Sequence, residues 1–224
     1  MVDSFFENGG NADDMDFVVD TEGQVTSKDA ESAGGGKSVH REGKYHCMVK
    51  VVKKELPEEK KEPEEGKCPF TSPSINITFE VLAGGPVGST SHDDQVGLNI
   101  YHRIYLWKWD EEKGKFVIRS GKDLKFISQI AYGLGMITKE ELDSGRFPLN
   151  FKQEVLEGRQ CVVEVRNEPY DDKDGKEKAS YRVPFGNCWQ PTSEYVKDVK
   201  KDADAMAIYL ASGDGAGGGS PNLF

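Results

Sequence analysis

The sequence contains no long hydrophobic run, and no stretch approaches the roughly 18 apolar residues that a membrane-spanning helix needs. Residues 1–7 have neither a basic region nor an apolar segment, so no secretory signal is expected. Apolar residues make up 36 % and charged residues 30 % of the 224 residues. That composition is polar, and it predicts that part of the chain is not packed. We expect a cytoplasmic protein without a membrane segment.

Cysteine is also scarce, with four residues at long spacings and no Cys-x-x-Cys pair. Disulfide frameworks are typical of small secreted domains, so reduced thiols are expected here. A zinc site needs four ligands, which usually arrive in close pairs. Neither His46-Cys47 nor the loop at His92-Asp93-Asp94 supplies such a set. The sequence therefore predicts no metal site.

Motifs of catalysis and nucleotide binding are missing as well. There is no Gly-x-x-x-x-Gly-Lys-[Ser/Thr] loop and no dinucleotide fingerprint after a strand. Residues 34–38 read Gly-Gly-Gly-Lys-Ser, but no apolar strand precedes them and no apolar helix follows. No serine or cysteine is recognisably paired with a base. We therefore expect a protein that binds a ligand, without a cofactor, rather than an enzyme.

The formal net charge of −10 argues at first sight against a polyanionic ligand. The acids are concentrated, however: residues 1–36 carry nine acids and one lysine, and 55–65 and 192–224 are also acidic. The rest of the chain has a formal charge of +4. Acidic tails often serve only solubility. The basic body is nevertheless compatible with binding nucleic acid.

Composition divides the chain into four segments. Residues 1–40 are rich in Gly, Asp, Ser and Asn and predict a disordered acidic arm. Residues 41–191 carry the periodic patterns of one folded domain. Residues 192–211 have helical spacing and predict a C-terminal helix, and 212–224 form a Gly-rich tail.

The folded domain begins with strand-like alternation, changes to helical spacing and returns to strands. The predicted strands are 43–54, 74–82 and 98–110 with a short return strand at 116–118, followed by 160–166 and 178–185 joined by a hairpin turn at 171–175. Between the two groups lie a helix over 121–135 and a short second helix opened by a capping box at Thr138.

This order predicts a mainly β fold of the OB type. An OB barrel is a five-stranded Greek-key barrel, here with the helix between strands three and four and an added C-terminal helix. Other small five-stranded barrels have the same order of elements. OB barrels commonly bind oligonucleotides.

The predicted third strand, 98–110, is the most informative stretch. One parity is apolar apart from His102 and predicts core positions at Leu98, Ile100, Ile104 and Leu106. The other parity is aromatic around one arginine: Asn99, Tyr101, Arg103, Tyr105, Trp107 and Trp109. Water does not favour four large rings on one open face, so something is expected to cover them.

Single-stranded nucleic acid is the favoured cover, because every base offers a π-face and stacking contributes about 1–3 kcal/mol per base. Outward positions of the first strand (Lys44, Lys50, Lys54) and of the last two strands add positive charge. The predicted nucleic-acid-binding residues are Tyr101, Arg103, Tyr105, Trp107, Trp109, Lys44, Lys50, Lys108, Arg166 and Arg182. The C-terminal helix, the N-terminal arm or a second copy of the chain are the alternative covers.

Several short motifs are found in the folded region. They are Gly43-Lys44-Tyr45, the stretch 75–82 followed by Gly84-Gly85, Ala131-Tyr132-Gly133-Leu134-Gly135, Leu156-Glu157-Gly158-Arg159, Glu168-Pro169-Tyr170 and Gly175. Together they resemble an uncharacterised phage and prophage family from replication and recombination gene clusters. The resemblance covers residues 40–190 and implies an OB-like fold and single-stranded DNA binding. The acidic arm, the 55–73 loop and the C-terminal helix depart from that family.

The expected function is therefore non-enzymatic binding of single-stranded DNA, with RNA as the alternative ligand, in phage-type replication, recombination or repair in the cytoplasm of a bacterial host. Replication or recombination proteins are expected to dock on the acidic arm, where residues 13–17 read Asp-Asp-Met-Asp-Phe. The competing hypothesis is an assembly module whose aromatic strand face is an interface between copies of the chain.

Overall fold

The structure, a computed structural model, describes residues 38–62, 67–85, 92–119, 121–145, 147, 149–171, 174–184 and 187–212. Most of the predicted arm and nearly all of the predicted tail lie outside the described residues. None of the described helices is long and apolar enough to cross a bilayer.

The described part of the chain is mainly β, as predicted, with ten strands and four α-helices. The strands are β1 Gly43–Glu55, β2 Ser74–Gly84, β3 Asn99–Ile104, β4 Trp107–Asp110, β5 Lys115–Ile118, β6 Gln160–Asn167, β7 Tyr170–Asp171, β8 Glu177–Lys178, β9 Tyr181–Arg182 and β10 Cys188–Trp189. The helices are α1 Lys122–Gly133, α2 Lys139–Ser144, α3 Gln153–Leu156 and α4 Ala203–Ala211.

The central sheet is antiparallel and nearly closes into a barrel. Its strands lie in the order β10–β6–β1–β2–β3, and β9 also pairs with β6. At the far side β3 and β9 approach to within 8 Å between Cα atoms, which brings the two ends of the sheet together. The β4–β5 and β7–β8 hairpins form separate two-stranded sheets.

Strand β1 is the longest strand described and pairs with both β2 and β6. Its first half alternates as predicted, with Tyr45, Cys47 and Val49 buried. A register shift between Val49 and Val51 then changes which side chains face inward. Such bulges insert one residue and reverse the alternation that follows.

The consequence of this shift is that Val52, not Val51, lies in the core. Lys53 therefore points outward and is exposed. Lys54 was predicted to face outward, but its side chain lies toward the core, with Nζ 5.5 Å from the ring centroid of Trp107. Burial lowers the pKa of Lys54.

Helix α1 packs against the barrel with the face predicted from its spacing. Ile127, Ile130 and Leu134 are buried in the main core. Gly133 sits so close to β10 that a Cβ atom at this position would lie 2.5 Å from the carbonyl oxygen of Cys188. The approach of helix and strand at this point therefore requires a residue without a side chain.

The end of α1 is joined to the start of β6 by Arg159. Its guanidinium donates to the carbonyl oxygens of Gly135, at 2.6 Å, and Leu134, at 3.3 Å. Both carbonyls lie just past Gly133, the last residue of α1, so Arg159 fixes the turn that follows the helix. Two of the motifs singled out in the sequence are thus in direct contact.

The C-terminal segment is only partly helical, in contrast to the helix predicted over 192–211. It has a 3₁₀ turn at Glu194–Val196 and becomes α-helical at Ala203. Its backbone is bonded to two barrel strands: the Asp202 N–H donates to His46 Nδ1 at 3.2 Å, and Gln160 Nε2 donates to the Ala205 carbonyl at 2.8 Å. These contacts place the segment on the outer side of β1 and β6.

Candidate nucleic-acid interface

The predicted stripe of four aromatic rings does not form one face. Strand β3 ends at Ile104 and β4 begins at Trp107, so the chain leaves the central sheet between them. Leu106 and Trp107 are consecutive yet both buried, at 1 % and 3 % exposure. The alternation predicted across residues 98–110 is therefore interrupted. The expectation that Trp107 and Trp109 share an open face with Tyr101 is wrong.

Both tryptophans instead pack in the protein interior and at its margin. Trp107 belongs to the main core, and Trp109 packs against that core. The Trp109 ring lies 5.2 Å from the ring of Phe116 and 5.8 Å from that of Phe70, measured between centroids. Between the two tryptophans, Lys108 is exposed on the β4–β5 hairpin. It lies outside the central sheet.

What remains is a smaller surface on the outer side of β1, β2 and β3, which we call the open face. Its residues are Lys50, Lys53, Glu55, Asn76, Thr78, Glu80, Tyr101 and Arg103. Pairing sets Lys53, Asn76 and Arg103 in one row across the three strands. Thr78 and Tyr101 are paired in the next row.

Tyr101 is the exposed ring of this face, with 48 % of its surface accessible. Arg103 lies two residues further along β3 and therefore on the same side of the strand. Tyr105, beyond the end of the strand, is half-buried, and its hydrogen bond to Arg103 raises the pKa of the guanidinium. The structure thus brings together three of the six predicted residues between Tyr101 and Trp109.

Arg103 is held across the face by the neighbouring strands. Its Nε donates to Asn76 Oδ1 at 2.7 Å, and its Nη2 donates to Glu55 Oε1 at 3.3 Å. Lys50 makes a similar pair, with Nζ 3.0 Å from Glu80 Oε2. Both predicted cations of the open face therefore have carboxylate partners.

Lys53 completes the face and was missed in the sequence. It makes no hydrogen bond or ion pair with any described residue. Strict alternation along β1 assigns Lys53 to the core side, and only the bulge turns it outward. The sign of that bulge in the sequence is the apolar doublet Val51-Val52. Only one of two consecutive strand residues can face the core, so the doublet leaves open which of them does.

Arg166 and Arg182 are register partners across β6 and β9, and both are exposed. Arg166 Nε is bonded to Glu164 Oε1 and Arg182 Nε to Ser180 Oγ, each at 2.7 Å. Because β9 approaches β3, this arginine pair lies on the part of the barrel next to the open face.

Lys44 lies in different surroundings from the rest of the predicted set. Its Nζ is 5.0 Å from the ring centroid of Trp189 and donates to the Tyr195 carbonyl at 3.4 Å. It is thus engaged with the C-terminal segment rather than with the open face.

His102 lies between Tyr101 and Arg103 in the sequence but points into the core, as its parity predicts. It is 8 % exposed, and burial lowers its pKa to about 4. Its Nε2 has no hydrogen-bond partner among the described residues. The ring is therefore neutral near neutral pH and adds no positive charge to the open face.

Three of the four cysteines, Cys47, Cys161 and Cys188, are buried, and all four are free thiols. Burial raises the pKa of the Cys47 and Cys161 thiols. Within the described residues, no group of three His, Cys, Asp or Glu side chains is arranged to hold a metal ion.

No protein-family model matches this chain, and no curated protein matches it. The resemblance to the phage and prophage family therefore stays a prediction, and the function has to be inferred from the open face itself.

Proposed function

We propose that this chain binds single-stranded DNA through the open face and has no enzymatic activity. The observation that carries the proposal is the exposed Tyr101 ring beside the Arg103 guanidinium, with Lys53 in the same row. A ring and flexible or planar cations are the groups that nucleic-acid-binding proteins use for bases and phosphates.

We also propose that the barrel is of the OB type. Support comes from the spatial order β6–β1–β2–β3, in which the strand after the helix returns to lie beside the first strand. That is the order of a Greek key. Helix α1 lies between β3 and β6 in the chain, and β9 beside β3 provides the closing contact. OB barrels bind oligonucleotides on this region of the sheet.

The kind of binding follows from the composition of the face. One exposed ring can stack one base, which contributes about 1–3 kcal/mol. The cations contact phosphates and carry no base preference, and their contribution falls as salt rises. We therefore expect weak selectivity among bases and an affinity that depends strongly on salt. The bound DNA strand is expected to continue from Arg103 to the Arg166–Arg182 pair.

Replacing Tyr101 or Arg103 by alanine is expected to weaken binding to a labelled oligo-dT by about 10-fold each, because a stacked ring or a phosphate contact is removed. Fluorescence anisotropy of the labelled oligonucleotide measures this at low salt. Intrinsic tryptophan emission is unsuitable, since Trp107 and Trp109 lie in or against the core.

The matched control is Tyr195→Ala, which removes another exposed tyrosine, on the C-terminal segment. It should leave the affinity unchanged. Equal losses for Tyr101→Ala and Tyr195→Ala would contradict a specific role of the open face. An oligo-rU titration run in parallel decides between DNA and RNA.

The biological setting follows from the resemblance and is part of the proposal: replication, recombination or repair of phage type in a bacterial cytoplasm. The acidic arm would recruit proteins of that machinery. Residues 1–36 lie outside the described residues, so support for this role comes from their composition alone. If pull-downs with and without residues 1–36 recover the same partners, the arm has no such role.

Self-association is the second candidate, and exposed apolar side chains on the C-terminal segment favour it. Tyr195, Ile208 and Leu210 are exposed by 79 %, 67 % and 61 %. If copies associate there, light scattering should give a multiple of the monomer mass, and Ile208→Ser with Leu210→Ser should restore the monomer. If the aromatic strand face is the interface, Tyr101→Ala dissociates the oligomer instead.

A further inference from the structure

The two predicted cations of the open face are each paired with a carboxylate on that same face. Arg103 is paired with Glu55 and Lys50 with Glu80. A phosphate that approaches either cation meets an anion already in place. The affinity of the face for a polyanion therefore depends on how easily each carboxylate gives way.

Glu55 is oriented by a second bond. Its Oε2 accepts a hydrogen bond from Ser74 Oγ at 2.9 Å, while Oε1 accepts from Arg103 at 3.3 Å. Asn76 independently holds Arg103 Nε at 2.7 Å. The guanidinium is thus positioned by Asn76 and by its hydrogen bond with Tyr105. An oxygen of Glu55 occupies the place where an anionic oxygen of a ligand would bind.

The Glu55 pair is also the weaker and the more accessible of the two. Both of its side chains are 51 % exposed, whereas Glu80 is 30 % exposed and its contact with Lys50 is shorter, at 3.0 Å. Water and salt screen exposed pairs strongly, so they are exchanged at little cost. Arg103 can change partner without a change in the sheet.

We propose that Glu55 is an intramolecular competitor for the phosphodiester group at Arg103 and sets the affinity of the open face. This inference rests on the proposed function, since it assigns a ligand group to Arg103. Binding exchanges one anionic partner of Arg103 for another and moves the Glu55 carboxylate into water. Ser74 and Asn76 position the two exchanging groups.

The test is Glu55→Gln, which removes the charge and keeps an oxygen for the Ser74 hydroxyl. Loss of one negative charge within contact distance of the ligand is expected to tighten binding of oligo-dT about 5-fold at low salt. The slope of log affinity against log salt should steepen by about one, because the charge of Arg103 is no longer neutralised by a carboxylate before the phosphate binds. Glu111→Gln, on the β4–β5 turn, is the control of equal charge and should change the affinity much less.

An unchanged or weaker affinity of Glu55→Gln overturns the inference while the proposed function stands. If neither the wild-type chain nor Glu55→Gln binds oligo-dT, the proposed function fails. The exchange is then still measured with inorganic phosphate, by following the Arg103 Nε–Hε resonance. It should shift at lower phosphate concentration in Glu55→Gln than in wild type, and identical titrations overturn the inference.

Discussion

Trp107→Ala is expected to lower the free energy of unfolding by about 3–5 kcal/mol, the cost of truncating a large buried ring. Trp107 is 3 % exposed and belongs to the main core, and the Lys54 ammonium lies over its ring. The cavity left behind would open beneath the chain turn that joins β3 to β4. Urea unfolding followed by circular dichroism measures the loss.

Tyr101→Ala supplies the comparison for this experiment, because it removes an aromatic side chain that is half exposed. Its effect on stability should stay near about 0.5 kcal/mol, as for other surface substitutions. A Trp107→Ala variant as stable as wild type would show that this ring does not fill the core. The aromatic stripe predicted from the sequence would then have to be reconsidered.

Acidification from about pH 6.5 to about pH 4 is expected to cost about 3 kcal/mol of stability through His102 alone, since one pKa unit corresponds to 1.36 kcal/mol. Burial lowers the pKa of His102 from 6.5 to about 4 in the folded chain. In this window the unfolded chain binds a proton that the folded chain does not. Stability therefore rises with pH across the window and is fully present above it.

The measurement is a series of urea titrations between these pH values on wild type and His102→Leu. Leucine cannot titrate, so the variant should have a flatter profile, and the carboxylates that both proteins share cancel in the comparison. His46 also has a pKa lowered by burial and is present in both. Parallel profiles for the two proteins would mean that His102 is not buried in the neutral form.

Features that depend on neighbouring residues alone were predicted well. The capping box at Thr138 is present in both directions: the Glu141 N–H donates to Thr138 Oγ1 at 3.1 Å, and Glu141 Oε2 accepts from the Thr138 N–H at 2.7 Å. Helix α1 follows its apolar spacing for the same reason. Both signals lie within one or two turns of a helix.

Features that depend on strand pairing were predicted less well. The bulge in β1 and the end of β3 at Ile104 arise where a strand meets its partners, and strict alternation does not contain them. For that reason Lys53 faces outward and Lys54 faces inward, the reverse of the prediction, and Trp107 lies in the core. Tyr101 and Arg103 lie before the end of β3, and Lys50 is the unpaired residue of the bulge itself. These three are the predicted residues found on the open face.

In the C-terminal segment, the spacing of apolar residues did not determine the kind of helix. Val196 and Val199 are three residues apart and both buried against Val162, as an α-helix would have them. The chain instead forms a 3₁₀ turn at Glu194–Val196, and a further three-residue turn, closed by the Val199 N–H donating to the Val196 carbonyl at 3.1 Å, gives the same spacing. Of the apolar side chains in this segment, Val196, Val199 and Tyr209 are buried, whereas Tyr195, Ile208 and Leu210 are exposed. The apolar period therefore identified only part of the buried set, and not the kind of helix.

The barrel is held together by fewer hydrogen bonds between β3 and β9 than between β3 and β2. On one side β3 is hydrogen-bonded to β2 along its length, and its far edge is bonded at Asn99 to the Val39 N–H. In the described residues no ladder joins β3 to β9. Local opening should begin along this seam, since fewer bonds must break there. A nucleic-acid strand that contacts both Arg103 and Arg182 would hold β3 and β9 together. Amide hydrogen exchange in β3 should then be slower in the bound protein than in the free protein.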